Sequence, residues 1–410
     1  MTPTDDHPPA TSPPTLFPVS AAGRRQRIPR TVRTAAPGPR AQAGRGIPME
    51  LHACNPESTL RRVPTFLDLF SGAGGLSVGL EDAGWVGLAG IDHWSDAVDT
   101  YNANLSHPGH CVDIRELRPK DLARLCSDRP DWIVGGPPCQ GYSTVGRRDP
   151  TDMRNKLFLE FRRIVKALKP EGFLIENVLG LKDMSFEAEV KREFESLGYA
   201  VEFLVLTAAE HGVPQLRRRV VFVGHRDGAR FIGPSRTHVP EDYVTVLDAI
   251  GDLPRLAPGE SATRYTSDPF TPYQKALRDG CHVLTSHVAA KHPRHLIEAI
   301  SHIPDGGNRR DIPPHLQPSS GFHNSYSRLA SWLPAVAVTQ NMSKPSATRC
   351  IHPFQHRGLT SREGARLQSF PDRFTFLHGQ VSQRLQIANA VPPVLGRALG
   401  EALIDPHRWW

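Results

Sequence analysis

Thr65-Phe-Leu-Asp-Leu69 followed by Phe70-Ser-Gly-Ala-Gly-Gly-Leu76 is the stretch on which the reading of this chain turns. A short β-rich run enters a glycine-rich turn, and an amphipathic segment from about Gly75 to Ala83 reads as the next helix. Gly72 and Gly74 let a turn approach a ligand closely, and the following helix offers its amino-terminal N–H groups to it. A dinucleotide fingerprint needs a further glycine where this chain has Ser77, so a nicotinamide site is disfavoured. Outward from this stretch the alternation continues. Strands read at Trp85 to Ile91, Trp132 to Val134, Gly172 to Ile175, Tyr199 to Leu206 and Val220 to Val223. Helices read at Ser95 to Asn104, Asn155 to Leu168 and Phe186 to Leu197. That pattern predicts an α/β fold with an open, mostly parallel, doubly wound sheet.

The flanks differ in character. Residues 1–63 are rich in Pro, Ala and Arg, show no hydrophobic period and read as disordered. A basic arm on DNA phosphates is the functional reading. A dispensable tail, or sequence upstream of a start at Met49, is the blander one. From about Pro234 to Cys350 the strand–helix alternation stops, and the composition turns to Pro, His, Ser and Gly, as in a separate loop-rich domain. Helical patterns return at Ser361 to Leu367 and Val394 to Ile404.

The chain has 410 residues, 39% hydrophobic and 22% charged, which suits two or three globular domains with a sizeable core. Its longest apolar runs are far short of the roughly 18 residues a membrane span needs. The net charge of +7 favours a polyanionic partner. Six scattered cysteines without a CxxC pair argue against a disulfide scaffold or zinc ribbon and for a reducing cytoplasm. Looser metal sets, Cys350 with His352 and His356 or His287 with His292 and His295, lack any paired knuckle, so no metal is expected.

Chemistry concentrates in a few blocks. Gly135-Gly-Pro-Pro-Cys-Gln-Gly-Tyr-Ser143 follows the strand at Trp132 and holds Cys139 on a stiffened loop at the carboxyl edge of the sheet, where doubly wound folds bind ligands. A thiolate there would be a nucleophile. Glu176-Asn-Val178 reaches the same edge, and its apolar neighbours suit a carboxyl that retains a proton for general acid work. In Gln215-Leu-Arg-Arg-Arg219, strand alternation puts Arg217 and Arg219 on one face and Arg218 on the other. Asp92 suits ribose hydroxyls and Asp113 an adenine amino group. For either acid alone, a solvated loop residue remains an equal alternative.

Together these blocks resemble the bacterial DNA (cytosine-5) methyltransferases. Phe70-Ser-Gly-Ala-Gly-Gly resembles the family's S-adenosylmethionine motif and Pro137-Pro-Cys-Gln-Gly-Tyr-Ser its catalytic loop. Asp152-Met-Arg-Asn155, Glu176-Asn-Val178 and Gln215-Leu-Arg-Arg-Arg219 match the next blocks. The segment from Arg357 to Asp372 and Asn389-Ala-Val-Pro-Pro393 match the last two, in the family's order. Departures are Tyr142 for a common Phe, Ala388 for a common Gly, and Asp92-His93 for Glu with a bulky residue.

The resemblance implies a catalytic and cofactor-binding domain over 64–233, a target-recognition domain over 234–374, and a segment 375–410 returning to the first. It implies that Cys139 adds to C6 of a flipped-out cytosine, with Glu176 at N3, Arg219 at O2, and Arg217 bracing Glu176 or the backbone. Phe70, Gly72, Gly74, Asp92, Asp113, Ile114, Pro137 and Asn389 would hold S-adenosylmethionine. Gln215, Arg309, Arg310 and Arg328 are expected to contact double-stranded DNA, with Arg349 a further candidate reader of a short GC-rich palindrome. A monomer, acting beside a cognate restriction endonuclease, completes the expectation. A tRNA cytosine-5 methyltransferase and a noncatalytic DNA-binding remnant are the rivals.

Overall fold

Strand and helix alternate from the first described element, because short β-branched and aromatic runs are separated by segments with one apolar face. The computed structural model describes residues 62–126, 128–138, 157–178, 184–319, 325–346 and 349–410. In chain order the elements are β1 (Thr65–Leu69), α1 (Gly75–Asp82), β2 (Val86–Asp92), α2 (Ser95–Asn104), β3 (Gly109–Cys111), α3 (Pro119–Leu125) and β4 (Trp132–Gly135). Then come α4 (Leu157–Leu168), β5 (Gly172–Val178), α5 (Met184–Glu195), β6 (Ala200–Thr207) and β7 (Arg218–His225). The remaining helices are α6 (Val246–Ile250), α7 (Pro272–Arg278), α8 (Arg294–Ser301), α9 (Ser361–Leu367), α10 (Gln380–Asn389) and α11 (Pro393–Ile404).

The seven strands form one sheet in the order β3-β2-β1-β4-β5-β7-β6. All neighbours are parallel except β7, which runs antiparallel to both β5 and β6. Order reverses between β1 and β4, and a ligand crevice opens at such a switch point in doubly wound folds. The strands are nearly continuous apolar runs because helices cover both faces. Leu67, Leu69, Ile133, Phe161, Phe173, Phe194 and Phe222 pack on one face. Phe66, Trp85, Trp132, Val134, Leu174 and Leu395 pack on the other.

Helix α11 closes the second face against α1. The two approach so tightly that a Cβ on Gly79 would strike the backbone of Pro393, Gly396 and Arg397. The last segment of the chain therefore returns to the first βα unit. β5 also runs past Ile175 to Val178, so Glu176 and Asn177 lie within the strand rather than beyond it. β3, α3 and α10 were not foreseen in the sequence. β3 is only three residues long, and α10 carries a polar sequence, QVSQRLQIAN, with two buried residues.

Between residues 234 and 350 the described chain holds α6, α7, α8 and two short 3-10 turns, joined by isolated bridges rather than strands. Thr245 with Asp248 and Thr271 with Gln274 close reciprocal capping boxes that start α6 and α7, and Thr360 with Glu363 does so for α9. A core of Ile250, Leu253, Val338, Met342, Ala365, Phe370 and Phe374 joins this part to Ala73, Val78 and Tyr101 of the sheet region.

Candidate active site

Two clusters meet at the carboxyl ends of the central strands. The first is the glycine turn after β1. Phe70, Gly72 and Gly74 have positive φ of 59°, 53° and 94°, so the turn reverses sharply before α1. Asp92, last residue of the adjacent β2, locks it: its carboxylate accepts from Gly72 N at 2.9 Å and from Trp94 N at 2.9 Å. A Cβ added at Gly72 would meet nothing within 4 Å, so the turn faces open space on that side. Two buried oxygens beneath it, Ser71 Oγ and Asp68 Oδ1, have no partner among the described residues.

Asp113 follows β3, where Arg115 donates through Nε and its backbone N, each at 2.9 Å. These bonds pull the Asp113 carboxyl down to about 2, against the opposing effect of burial. Ile114 is buried, and Arg163 donates to its carbonyl at 2.8 Å. Asn389 ends α10 exposed, one residue before Ala390 and Val391, which touch Gly75. The distant carboxyl-terminal block thus arrives beside the glycine turn.

The second cluster centres on Glu176 of β5, only 8% exposed. Arg219 on β7 places its Nε 2.8 Å from Glu176 Oε1, forming an ion pair. The carboxyl is therefore met by a cation, not only by the apolar neighbours that its sequence suggested. Gly136 lies against the other oxygen, since a Cβ there would come within 3.3 Å of Oε2. Asn177 Nδ2 donates to the Pro137 carbonyl at 2.8 Å, tying the end of β4 to β5. Cys139 lies outside the described residues, as do the rest of its loop and Asp152-Met-Arg-Asn155.

Arg217 is buried, and its Nη2 donates to the carbonyls of Ala388 at 3.1 Å and Ala390 at 3.3 Å. Burial, with repulsion from Arg219, lowers its guanidinium to about 9, partly countered by Glu176. Arg218 is exposed on the opposite side. Arg217 thus braces the backbone beside Asn389 and joins the two clusters.

The residues expected to touch DNA divide sharply. Gln215 is 0% exposed, and its amide is spent inside the protein: it donates to Leu367 O at 3.1 Å and Gln368 Oε1 at 2.8 Å, and accepts from Val338 N at 2.7 Å. Arg328 is 4% exposed, and its guanidinium donates to the carbonyls of Ile303, Ile300 and Gln355 at 2.7, 2.8 and 2.7 Å. In this geometry neither side chain is free to read a base. Arg309 is half-buried, with Nε on Gln317 Oε1 at 3.3 Å and Nη2 on Pro318 O. Arg310 and Arg349 are exposed. Sequence reasoning passed over Asp68, although an acid between Leu67 and Leu69 in a buried strand was itself a signal.

A doubly wound sheet with a switch-point glycine turn, a locked acid on the next strand and a buried Glu–Arg pair defines the methyltransferase class of α/β enzymes. Residues 64–405 match the family model for C-5 cytosine-specific DNA methylases. The chain belongs to this family and is a DNA cytosine-5 methyltransferase. It is 41% identical to the Type II methyltransferase M1.HphI of Haemophilus parahaemolyticus over 350 residues, which cover 83% of this chain and 86% of that protein. It is 36% identical to M.DdeI of Desulfomicrobium norvegicum, over 82% of this chain and 88% of that one. Among solved structures, a DNA modification methyltransferase encoded within a prophage (E. coli) shares the fold at a TM-score of 0.69 and 23% identity, covering 83% of this chain and 98% of that one. DNMT2 of Spodoptera frugiperda does so at 0.55 and 16%, covering 83% and 100%.

Membership in a methyltransferase family implies use of S-adenosylmethionine, and a DNA substrate. No helix among the described residues is long and apolar enough to cross a membrane.

Proposed function

We propose that this enzyme methylates C5 of a cytosine flipped out of a specific short duplex sequence, through a transient bond between Cys139 and C6. The target must leave the stack because neighbouring bases cover its faces within the duplex. Cytosine C5 is a poor nucleophile, so the Cys139 thiolate adds to C6 while Glu176 holds N3, which places electron density on C5. Arg219 keeps Glu176 in position through Nε and donates Nη1 to Arg218 O at 2.8 Å, leaving Nη2 for the cytosine O2. Methylated C5 then loses its proton to a base, assigned here to water, and Cys139 is eliminated.

S-adenosylmethionine supplies the methyl group. The open side of Gly72 and the Asp92 carboxylate fit its adenosyl moiety, with Phe70, Gly74, Asp113, Ile114, Pro137 and Asn389 completing the set. The segment 234–374 is assigned to target recognition, with 64–233 and 375–410 forming the catalytic part. We further assign the enzyme to the bacterial cytoplasm as a monomer that protects host DNA from a cognate endonuclease. The Type II names of M1.HphI and M.DdeI support that last reading.

The observation that carries the proposal is the Glu176–Arg219 pair, whose strand neighbour Asn177 holds the Pro137 carbonyl just past β4, two residues before Cys139 in sequence. Cys139→Ser is expected to lose methylation by several orders of magnitude while still binding cofactor and DNA. Wild type should form a covalent adduct with duplex DNA containing 5-fluorocytosine, and the variant none. An adduct that survives in Cys139→Ser moves the nucleophile elsewhere and ends this mechanism. Transfer of label to tRNA but not to duplex DNA would change the substrate instead.

A further inference from the structure

A chain of five side chains runs from beneath the glycine turn to the surface, and the reaction above uses none of them. Ser77 Oγ on α1 lies 2.7 Å from Asp68 Oδ2 on β1 and 3.0 Å from the Tyr101 hydroxyl on α2. That hydroxyl lies 2.5 Å from His107 Nε2, and His107 Nδ1 lies 2.9 Å from Glu81 Oε1 at the rim of α1. Asp68, Ser77, Tyr101 and His107 are all buried, and Glu81 is half-buried. The backbone makes room for this chain. A Cβ on Gly90 or Gly109 would strike the Tyr101 ring, one on Gly87 would strike His107, and the Tyr101 ring also packs beneath Gly74 of the turn.

Counting donors gives the chain two polarities. Each hydroxyl has one hydrogen to give, and an ionised carboxylate has none. In one arrangement Ser77 donates to the Asp68 carboxylate, Tyr101 to Ser77 and His107 Nε2–H to Tyr101, with His107 Nδ1–H on Glu81. In the other, a protonated Asp68 donates to Ser77, Ser77 to Tyr101 and Tyr101 to His107 Nε2. The two differ by one proton moved along the chain. The His107 N–H bond breaks as Tyr101 gains a proton, Tyr101 passes its own to Ser77, and Ser77 passes its own to Asp68. No proton is gained or lost overall, and His107 exchanges with solvent through Glu81.

We propose that Asp68 is a positioning residue for the cofactor turn, taking its proton through a Ser77–Tyr101–His107 relay so that no carboxylate charge sits beneath the turn beside Asp92. The proposal rests on the assignment of this turn to S-adenosylmethionine. Its geometry is that of two carboxylates on neighbouring strands driven to opposite tasks. Asp92 accepts two backbone N–H groups, whereas among the described residues Asp68 has one side-chain partner and an oxygen with none. Ser77 faces Asp68 from α1, Tyr101 lies beyond Ser77 on α2, and Asp92 acts from β2, while His107 and Glu81 stand further along the chain. Its partners within the sheet, Gly90 and Val134, carry no charge. Burial, reinforced by Asp92 and opposed by the Ser77 bond, raises the Asp68 carboxyl to about 7. Ionisation would leave a buried charge under the turn with a single hydrogen bond, and the turn loosens.

Calorimetry of S-adenosylmethionine binding between pH 6 and pH 8 tests this. Wild-type affinity should fall about tenfold over that range, as expected for one linked proton. Asp68→Asn keeps the shape without the charge and should bind at both pH values with affinity near the wild type at pH 6. The ligand's own amino group contributes equally to both proteins and cancels in the ratio. Tyr101→Phe cuts Asp68 off from the imidazole and should move the wild-type midpoint upward. A ratio of wild type to Asp68→Asn that stays constant with pH overturns the proposal, and so does an unmoved midpoint in Tyr101→Phe. Gly72→Val separates the two levels. If it leaves affinity unchanged, the cofactor assignment itself fails. If it abolishes binding while the ratio stays flat, only the relay does.

Discussion

In the sheet, strand ladders satisfy the backbone and most of the side chains that cover them are apolar: Phe161, Phe173, Phe194 and Phe222 pack together on one face. Between α6 and residue 376 no such ladder occurs among the described residues, and guanidinium groups do their work. Arg328 gathers the carbonyls of Ile300, Ile303 and Gln355. Arg357 takes those of Leu256 and Gly358 and pairs with Glu363 at 2.6 Å. Arg362 takes those of Thr285 and Phe374, and Arg366 takes that of Ala249 while gripping Asp252 and Asp372. Arg357, Arg362 and Arg366 are fully buried. Buried carbonyls must be paired, and where no neighbouring strand can do it, five fixed donors on one planar group can. The lesson is that irregular chain can be held as firmly as a sheet, at the risk of leaving buried charges exposed to any mutation.

Arg366→Met should reveal that risk. It leaves Asp252 and Asp372 in the interior without their main cation, and breaking a buried pair costs about 3–5 kcal/mol. Chemical denaturation should show a loss of that size. Hydrogen exchange should locate it, with amides near Ala249, Leu277 and Asp372 losing protection first while β1, β4 and β5 keep theirs. Uniform loss across the sheet would break the comparison, because the two regions would then fold as one cooperative unit.

A smaller effect comes from His352, which packs near Glu363 and Arg357. Burial, with repulsion from Arg357 and Arg328 and against the attraction of Glu363, lowers its imidazole to about 3. A lowered pKa means that the unfolded chain binds this proton before the folded one does. Stability from this group is therefore complete above its ordinary value of 6.5 and lost as pH falls from there toward 3. His352→Gln should flatten that part of the curve of unfolding free energy against pH. An unchanged slope would mean that other groups govern the acid limb.

How much of this was legible depended on whether the signal was local. The bounds of β1, α2 and α9 follow from apolar period and turn residues, and so does the glycine turn between β1 and α1. Alternation put Arg217 and Arg219 on one side and Arg218 on the other, and the burial of Arg217 beside an exposed Arg218 follows that local pattern. Arg328 and Gln215 were misread because nothing within a few residues tells that Ile303, Gln355 or Leu367 will converge on them from afar. A charged side chain in loop-rich sequence reads as solvated until the partners are placed. Asp68 was missed for the opposite reason. Its strand was read for its apolar neighbours alone, and its partners Ser77 and Tyr101 sit on two different helices. Cys139 lies outside the described residues, so its role rests on sequence and family.

The smallest expected effect concerns sequence choice, where the buried arginines and the exposed ones should part company. With Arg328 committed to carbonyls and Arg309 tied to Gln317 and Pro318, Arg310 and Arg349 are the candidates left to reach a groove. Arg310 follows Asn308, whose side chain accepts from the Arg310 N–H at 3.1 Å, fixing the backbone while the side chain extends outward. Arginine paired to guanine O6 and N7 is the commonest specific contact, and one good pair is worth about 1–3 kcal/mol of discrimination. Arg310→Ala, scored on a library of methylation sites, should therefore relax one position of the target and leave the others intact. An arginine that touches only phosphate behaves differently: its loss weakens binding evenly across sequences and lowers the salt dependence by about one counterion. An even loss in Arg310→Ala would move base reading to Arg349 or to another residue, while leaving the guanidinium scaffold behind it as described.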